Sequence, residues 1–339
     1  LNVKSTRPSV VILGAGLMGR WHAHYARAAG ARIVAVVDKS GDRAEKLAAT
    51  CSAAAFEDAR TCLSKFPGNI VHICTPDQEH EASLDEALQF QSNILIEKPV
   101  CRTTEQASHF FGIAERQLLT ICPVHQFPFQ DGFLELLERR AELGDIVKAG
   151  FVTCSFGGER KSSEERREIM LGILAHPFSL FTRLVPDGLS ESAFEYCTLT
   201  DDDLEAHGRA GEIQLSVSVS LRGRPTRNEL VVIGERGSAL VDLFHGYVVF
   251  EFGHPSRVDK MMRPFKYGTS LVAHAGANLV KRAIAVEPAY PGLGTLIERF
   301  YQALSSGSQP PVSKAETLAS LRLADKIRSL KSQHRSASS

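Results

Sequence analysis

The run SVVILGAGLMGRWHAHYARAAG, residues 9–30, constrains this chain more than any other stretch. SVVILG is short, continuously apolar and closed by glycine, as expected of a parallel strand buried on both faces. LMGRWHAHYARAAG reads as a helix ended by Gly30. Between them, GAGLMG sets Gly14, Gly16 and Gly19 in G-x-G-x-x-G spacing. Three glycines are weak evidence alone. Directly after a strand and opening a helix, they fit a dinucleotide turn. Gly14 permits the tight turn, Gly16 lets backbone N–H groups approach a pyrophosphate, and Gly19 lets helix and strand pack closely. The helix that begins at Leu17 and Met18 offers its free N–H groups and positive end to the phosphates.

The same rhythm continues for about 120 residues. RIVAVVD (32–38) is a strand and GDRAEKLAAT a helix; NIVHIC (69–74) and NILIE (93–97) are strands, followed by helices over 78–90 and 103–117. LLTIC (118–122) closes the series, and the alternation predicts a doubly wound parallel sheet over residues 1–123. Asp38 ends the second strand, 19 residues after Gly19, where a carboxylate accepts bonds from a ribose hydroxyl pair. Such an acid repels a 2′-phosphate, so NAD(H) is preferred over NADP(H). Lys39 and Arg43 lie close enough to temper that preference, and a helix-capping Asp is the alternative reading.

After Pro123 the period changes. IVKAGFVTCSF (146–156) is long enough for a sheet strand, and IQLSVSVSL (213–221) alternates apolar with Gln and Ser. NELVVIGERGSALVDL (228–243) is two strands around a turn, followed by YVVFEF. An antiparallel sheet with one apolar face is expected in a second domain over 124–332. Helices are expected at about 270–285, 292–305 and 314–331, and 333–339 reads as a tail.

Lys plus Arg and Asp plus Glu number 39 each, so no bulk charge favours nucleic acid or an acidic membrane. Arg222, Arg224 and Arg227 cluster around Pro225, either as a solvated turn or as a phosphate-contacting loop. ERKSSEERRE (159–168) is a solvated loop and helix start. The seven cysteines form no CxxC pair, so reduced thiols and no metal site are expected. LNVKSTRPS lacks the apolar core of a signal peptide, and no run is long enough to span a bilayer. A soluble, cytoplasmic protein is the expectation.

In NILIEKPV, Glu97 and Lys98 follow an apolar strand and precede Pro99. Ligands of open parallel sheets bind outside the carboxyl ends of the strands. A lysine there, partly desolvated, can bond a substrate hydroxyl and pass protons. A polar strand-end turn is the plainer reading.

GAGLMG, Asp38, CTPDQEH (74–80), EKP (97–99) and PPVSKAETLASLRLADKI (310–327) recur in this order in the glucose–fructose oxidoreductase/inositol dehydrogenase (Gfo/Idh/MocA) family, which this chain resembles throughout. The resemblance implies an N-terminal Rossmann domain and a C-terminal α+β domain whose open, mostly antiparallel sheet mediates homodimer or homotetramer contacts. It also implies cofactor roles for Thr75, Pro76, His80, Glu97 and Lys98, and a catalytic role for Lys98. The usual substrates are sugars, cyclitols and nucleotide-linked sugars. The expected reaction is hydride transfer at a secondary alcohol or ketone. Alternatives are a lyase or glycosidase that cycles bound NAD, and a non-catalytic nucleotide sensor.

Family members often carry Asp-x-x-x-His on a helix of the second domain, one helix face by its spacing. In LGILAHPFSL (171–180) His176 matches the histidine, but Gly172 stands at the Asp position. Locally a core histidine reads better. Given Lys98 and the family register, His176 is assigned a catalytic role. Gly172 is room for a bulky substrate or a sign of lost activity, and Glu168 is a conceivable replacement acid. Pro177 should kink or break the helix. In HQFPFQ (125–130), His125 and Phe127 fall where the family lines its substrate pocket, though a domain-crossing turn explains them equally well.

Overall fold

The computed structural model describes residues 7–185, 189, 193–253 and 256–336, with the side chains of 330–336 left aside. The expected N-terminal stretch 1–6 and residues 337–339 of the expected tail lie outside the described residues. The chain sorts into two units, 1–125 with 293–318 and 126–292 with 319–339.

The first unit runs β1 (Ser9–Leu13), α1 (Leu17–Ala28), β2 (Arg32–Val37), α2 (Gly41–Cys51), β3 (Ala54–Phe56), α3 (Ala59–Lys65), β4 (Ile70–Ile73), α4 (His80–Gln89), β5 (Ile94–Ile96), α5 (Thr104–Arg116) and β6 (Ile121–Pro123). Strand order is β3-β2-β1-β4-β5-β6, with every pairing parallel. The order reverses between β1 and β4, the crevice where doubly wound sheets take their ligands. Val10, Val11 and Ile12 are fully buried, which explains why β1 reads as an unbroken apolar run. The edge strand β3 and helix α3 escape the sequence reading. Ala54 and Ala55 are exposed, so the segment has no apolar pattern to find.

The second unit holds α6 (Asp131–Glu138), β7 (Ile146–Cys154), α7 (Ser163–Ile173), α8 (Ala175–Leu184), β8 (Phe194–Leu199), β9 (Asp203–Ala210), β10 (Ile213–Ser220), β11 (Arg227–Gly234), β12 (Gly237–Asp242), β13 (Tyr247–Phe252) and α9 (Arg257–Ala285). Its seven-stranded sheet is ordered β13-β12-β11-β7-β10-β9-β8, parallel at β7–β10 and antiparallel elsewhere. This is the mostly antiparallel sheet expected. Ile213, Leu215, Val217 and Val219 enter the core beside Phe151, Leu230 and Val232. On the other face of β10, Ser218 and Ser220 donate to Glu205 and Asp203 of β9, both at 2.6 Å. β8 and β9 were not expected, because β9 buries little beyond Leu204 and Ala206 and reads as a polar loop. α9 starts well before the expected 270; Pro264, a usual helix breaker, sits inside it.

The expected break near Pro177 appears at Leu174, between α7 and α8. Pro177 then occupies the first turn of α8, where its missing N–H costs no helical bond. Ser162 and Glu165 form a capping box that starts α7.

Two further helices follow, α10 (Leu293–Ser306) and α11 (Lys314–Ser336). The sequence reading assigned α10 to a continuous second domain, 124–332, but it belongs to the first unit. Leu293, Leu296, Ile297 and Phe300 are fully buried, and a Cβ on Gly294 would lie 3.0 Å from the Tyr25 ring of α1. An amphipathic pattern shows that a helix has a buried face, not which element covers it.

Candidate active site

The turn from β1 to α1 tolerates few residues. Gly14 has φ +97°, and a Cβ there would sit 2.6 Å from the Cys74 carbonyl oxygen. A Cβ on Gly19 would sit 1.8 Å from the Gly14 carbonyl oxygen, so α1 begins flush against the strand end. A Cβ on Gly16 would meet nothing within 4 Å. Packing therefore does not demand glycine at 16, and the backbone there is open to the close approach of a ligand. No side chain caps α1, which leaves the N–H groups of its first turn available for an anion. Leu17 is exposed there and Met18 half-buried.

Asp38 is buried and its carboxylate is fully engaged. Oδ2 accepts from Ala15 N at 2.8 Å, while Oδ1 accepts from Ser40 N at 2.9 Å and Arg43 Nη2 at 2.7 Å. Burial pulls the Asp38 pKa upward, but the Arg43 guanidinium and the two N–H donors outweigh it and hold the pKa below the ordinary value. A cleft of about 550 Å³ opens here, lined by Gly14, Gly16, Asp38, Thr75 and Pro76. Glu57, Asp58, Glu79 and Glu86 also line it, with two cations, Lys39 and Arg43. Both cations are already paired, Lys39 with Glu79 and Arg43 with Asp38, each at 2.7 Å.

Thr75 follows β4, and its Oγ1 is buried without a hydrogen-bond partner. A buried hydroxyl left unpaired is costly, and Thr75 is among the residues that line the cleft. With the open space at Gly16, it fits a bound dinucleotide. His80, buried at the start of α4, bridges two loops instead: Nε2 lies 3.0 Å from Thr75 O and Nδ1 2.7 Å from Pro99 O. Both ring nitrogens face backbone carbonyls, so His80 clamps the post-β4 and post-β5 loops together.

Lys98, just past β5, is half-buried. Withdrawal of its ammonium from water lowers its pKa, and the opposing pull of Glu97 and Asp77 does not cancel this. The Glu97 carboxylate accepts from Lys98 N at 3.3 Å and meets His22 Nε2 at 3.1 Å. His22 Nδ1 lies 3.1 Å from His72 Nδ1, and His72 Nε2 lies 2.9 Å from the Tyr301 hydroxyl. The sequence reading missed this array. Its one local signal was a histidine, His72, inside an otherwise apolar strand. His125, the last residue of the first unit, is buried.

In the second unit, the His176 ring stacks on Phe127 with centroids 4.2 Å apart and planes inclined by 18°. Two residues assigned from sequence thus stand together. Met170, Leu171, Leu174 and Phe178 are buried in the core, Ile169 and Ile173 pack against it partly buried, and Gly172 and His176 are half-buried. His176 is thus part-buried, with its ring against a residue of the core, Phe127. A Cβ on Gly172 would meet nothing within 4 Å, so the missing acid is not imposed by packing. The basic loop resolves as the solvated turn: Arg222 pairs with Asp203, Arg224 with Glu159 and Arg227 with Glu229.

The glycine turn, the acid after β2 and the crevice at the strand switch define a dinucleotide-binding domain. Residues 9–125 match the Gfo/Idh/MocA family model, described as oxidoreductase family, NAD-binding Rossmann fold. UDP-N-acetylglucosamine 3-dehydrogenase of Acidithiobacillus ferrooxidans is 32% identical over 114 residues, 34% of this chain and 36% of that protein. Inositol 2-dehydrogenase 1 of Mycolicibacterium vanbaalenii is 29% identical over 147 residues, 42% of this chain and 35% of that one. These matches span about a third of each relative's length. The solved structure of the Acidithiobacillus enzyme superposes with a TM-score of 0.71 at 20% identity, covering 95% of this chain and 97% of that one. At that identity the likeness is one of fold.

Proposed function

We propose that this protein is an NAD(H)-dependent oxidoreductase acting on a secondary alcohol or ketone of a sugar, cyclitol or nucleotide-linked sugar. The observation that carries the reading is Lys98: a lysine with a lowered pKa, just past a strand of the sheet whose switch-point cleft fits a dinucleotide. The bound nicotinamide supplies the hydride acceptor or donor. In oxidation, neutral Lys98 takes the hydroxyl proton as the carbinol becomes a carbonyl; in reduction, its ammonium returns that proton. Thr75, Pro76, Glu97 and the glycine turn with Leu17 and Met18 hold the cofactor. His80 contributes by fixing the two loops. His176 is proposed as a second proton-handling group, with His125, Phe127 and Gly172 as substrate contacts; the stack on Phe127 supports this by fixing the imidazole plane.

The preference for NAD(H) over NADP(H) is supported by the carboxylates of Asp38, Glu57, Asp58, Glu79 and Glu86 around the cleft, which repel a 2′-phosphate. A cytoplasmic setting is supported by seven cysteines, none of them in a disulfide. Among the described residues, no helix is long and apolar enough to cross a membrane. A homodimer or homotetramer through the second unit's sheet is supported by the exposed Ile233 and Phe252.

The test is a panel of cyclitols and sugars with NAD, and keto-sugars with NADH, followed by nicotinamide absorbance. No change across a broad panel argues against a dehydrogenase. Product without net NADH change favours the alternative in which bound NAD is oxidised and restored within one cycle. Gly172 in place of an acid gives some support to the non-catalytic alternative, and tight NADH binding without any reaction would favour it.

A further inference from the structure

We infer that Tyr301, His72 and His22 form a one-way hydrogen-bond chain that positions the Glu97 carboxylate beside Lys98. The three groups come from three elements of the first unit, α10, β4 and α1, and the contacts are 2.9, 3.1 and 3.1 Å from Tyr301 to Glu97. His22 and His72 are fully buried and Tyr301 is nearly so.

The direction follows from counting protons. Glu97 as a carboxylate only accepts, so His22 Nε2 must carry a proton. With a neutral ring, His22 Nδ1 is then an acceptor and takes the proton of His72 Nδ1. That leaves His72 Nε2 as an acceptor for the Tyr301 O–H. Every donor meets one acceptor. The reverse order requires a charged His22 and leaves the Tyr301 proton with no recorded acceptor among the described residues, an unpaired buried donor. Burial, together with the neighbouring His22, pushes the His72 pKa well down, and burial pushes the Tyr301 pKa well up; both agree with the neutral chain.

Three polar side chains buried between a parallel sheet and its helices are expensive unless fully satisfied, and apolar residues would fill the space at less cost. What the array adds is a fixed end. It points one carboxylate oxygen, Oε1, inward and leaves Oε2 toward the Lys98 backbone N–H. Tyr301, His72 and His22 are therefore positioning residues for the strand-end pair. The purpose assigned to Glu97 rests on the oxidoreductase reading above; the proton direction does not.

Nitrogen NMR of histidine-labelled protein tests the direction without any substrate. His72 protonated at Nδ1 and His22 at Nε2 are expected near neutral pH. The reverse tautomer at His72, or a mixture at either ring, overturns the chain. Coupling to the site is tested by a double-mutant cycle on NADH affinity, using Tyr301→Phe, which keeps the ring, and Glu97→Gln, with melting midpoints as the folding control. Each single change is expected to weaken NADH binding about fivefold, and the second change to cost less than about twofold once the first is made. Additive losses overturn the positioning role, because a purely structural tyrosine would not know the state of Glu97. If the unmodified protein binds no dinucleotide, the oxidoreductase reading falls, and the tautomers still decide the chain.

Discussion

The Ala15 N–H donates to the Asp38 carboxylate at 2.8 Å, binding the glycine turn after β1 to the acid that follows β2. The geometry of two loops thus rests on one side chain. Asp38→Ser removes the charge facing a 2′-phosphate and releases the Arg43 guanidinium now paired with it. NADPH affinity relative to NADH is expected to rise about tenfold or more, the effect of roughly 1.4 kcal/mol, as read by fluorescence titration of both nucleotides.

The same carboxylate makes stability depend on pH in a fixed direction. Its folded-state pKa is depressed, so the stability it contributes is present above the unfolded value of about 3.9 and is lost as pH falls through the folded value. Asp38→Asn should therefore lower denaturant midpoints at pH 7, with the deficit shrinking below about pH 4. An equal deficit at both ends of that range would remove the linkage.

Gly16 and Gly19 separate function from packing. Alanine at 16 enters open space and should leave the melting midpoint nearly unchanged, within about 1 kcal/mol for a helix cap, while abolishing measurable NADH binding. Alanine at 19 must displace the Gly14 carbonyl and should cost several kcal/mol, roughly 3 or more as overpacking. Calorimetry beside a binding assay distinguishes the two.

Lys98→Met is expected to cut turnover by about 10² to 10⁴-fold, the usual worth of a proton-transfer group. The melting midpoint should rise, because a lysine with a lowered folded-state pKa opposes folding while it stays protonated. In the unmodified protein, the oxidation rate expected of the proposed reaction should climb with pH as Lys98 loses its proton. A flat pH–rate profile between 6 and 10 would assign the proton to another group.

Gly172→Asp supplies the acid one turn before His176 where nothing obstructs it. Turnover is expected to increase by about tenfold or more if proton handling limits the reaction, with folding little affected because one weak helix former replaces another. Unchanged turnover, together with a steep loss in His176→Ala, would show that the histidine acts without an acid partner.

Much of the first unit was legible because parallel strands buried on both faces leave unbroken apolar runs, and the glycine turn has a local steric logic. The strand-end lysine was legible for a related reason: a charge that closes an apolar run must be solvated, paired or used. Less could be read where burial is slight or partners are distant. β3 and β9 carry weak patterns. The break between α7 and α8 shows how a proline moves a helix boundary to a place where its missing donor is harmless. His72 and Tyr301 are 229 positions apart, and no periodicity connects them. His80 appeared as a cofactor contact in the sequence; its two carbonyl partners exist only once the post-β4 and post-β5 loops are adjacent.

The chain visits its two units alternately, and this sets an order for biosynthesis. A nascent chain ending at residue 125 already contains the glycine turn, Asp38 and Lys98, but neither the helix that packs on α1 nor the tyrosine that heads the buried array. The nucleotide domain therefore cannot finish folding on the ribosome before the second unit's sheet strands have been made. A clone truncated at the apparent domain boundary should yield a protein with an uncovered α1, and dissecting the halves requires residues 293–318 to be grafted back onto the first.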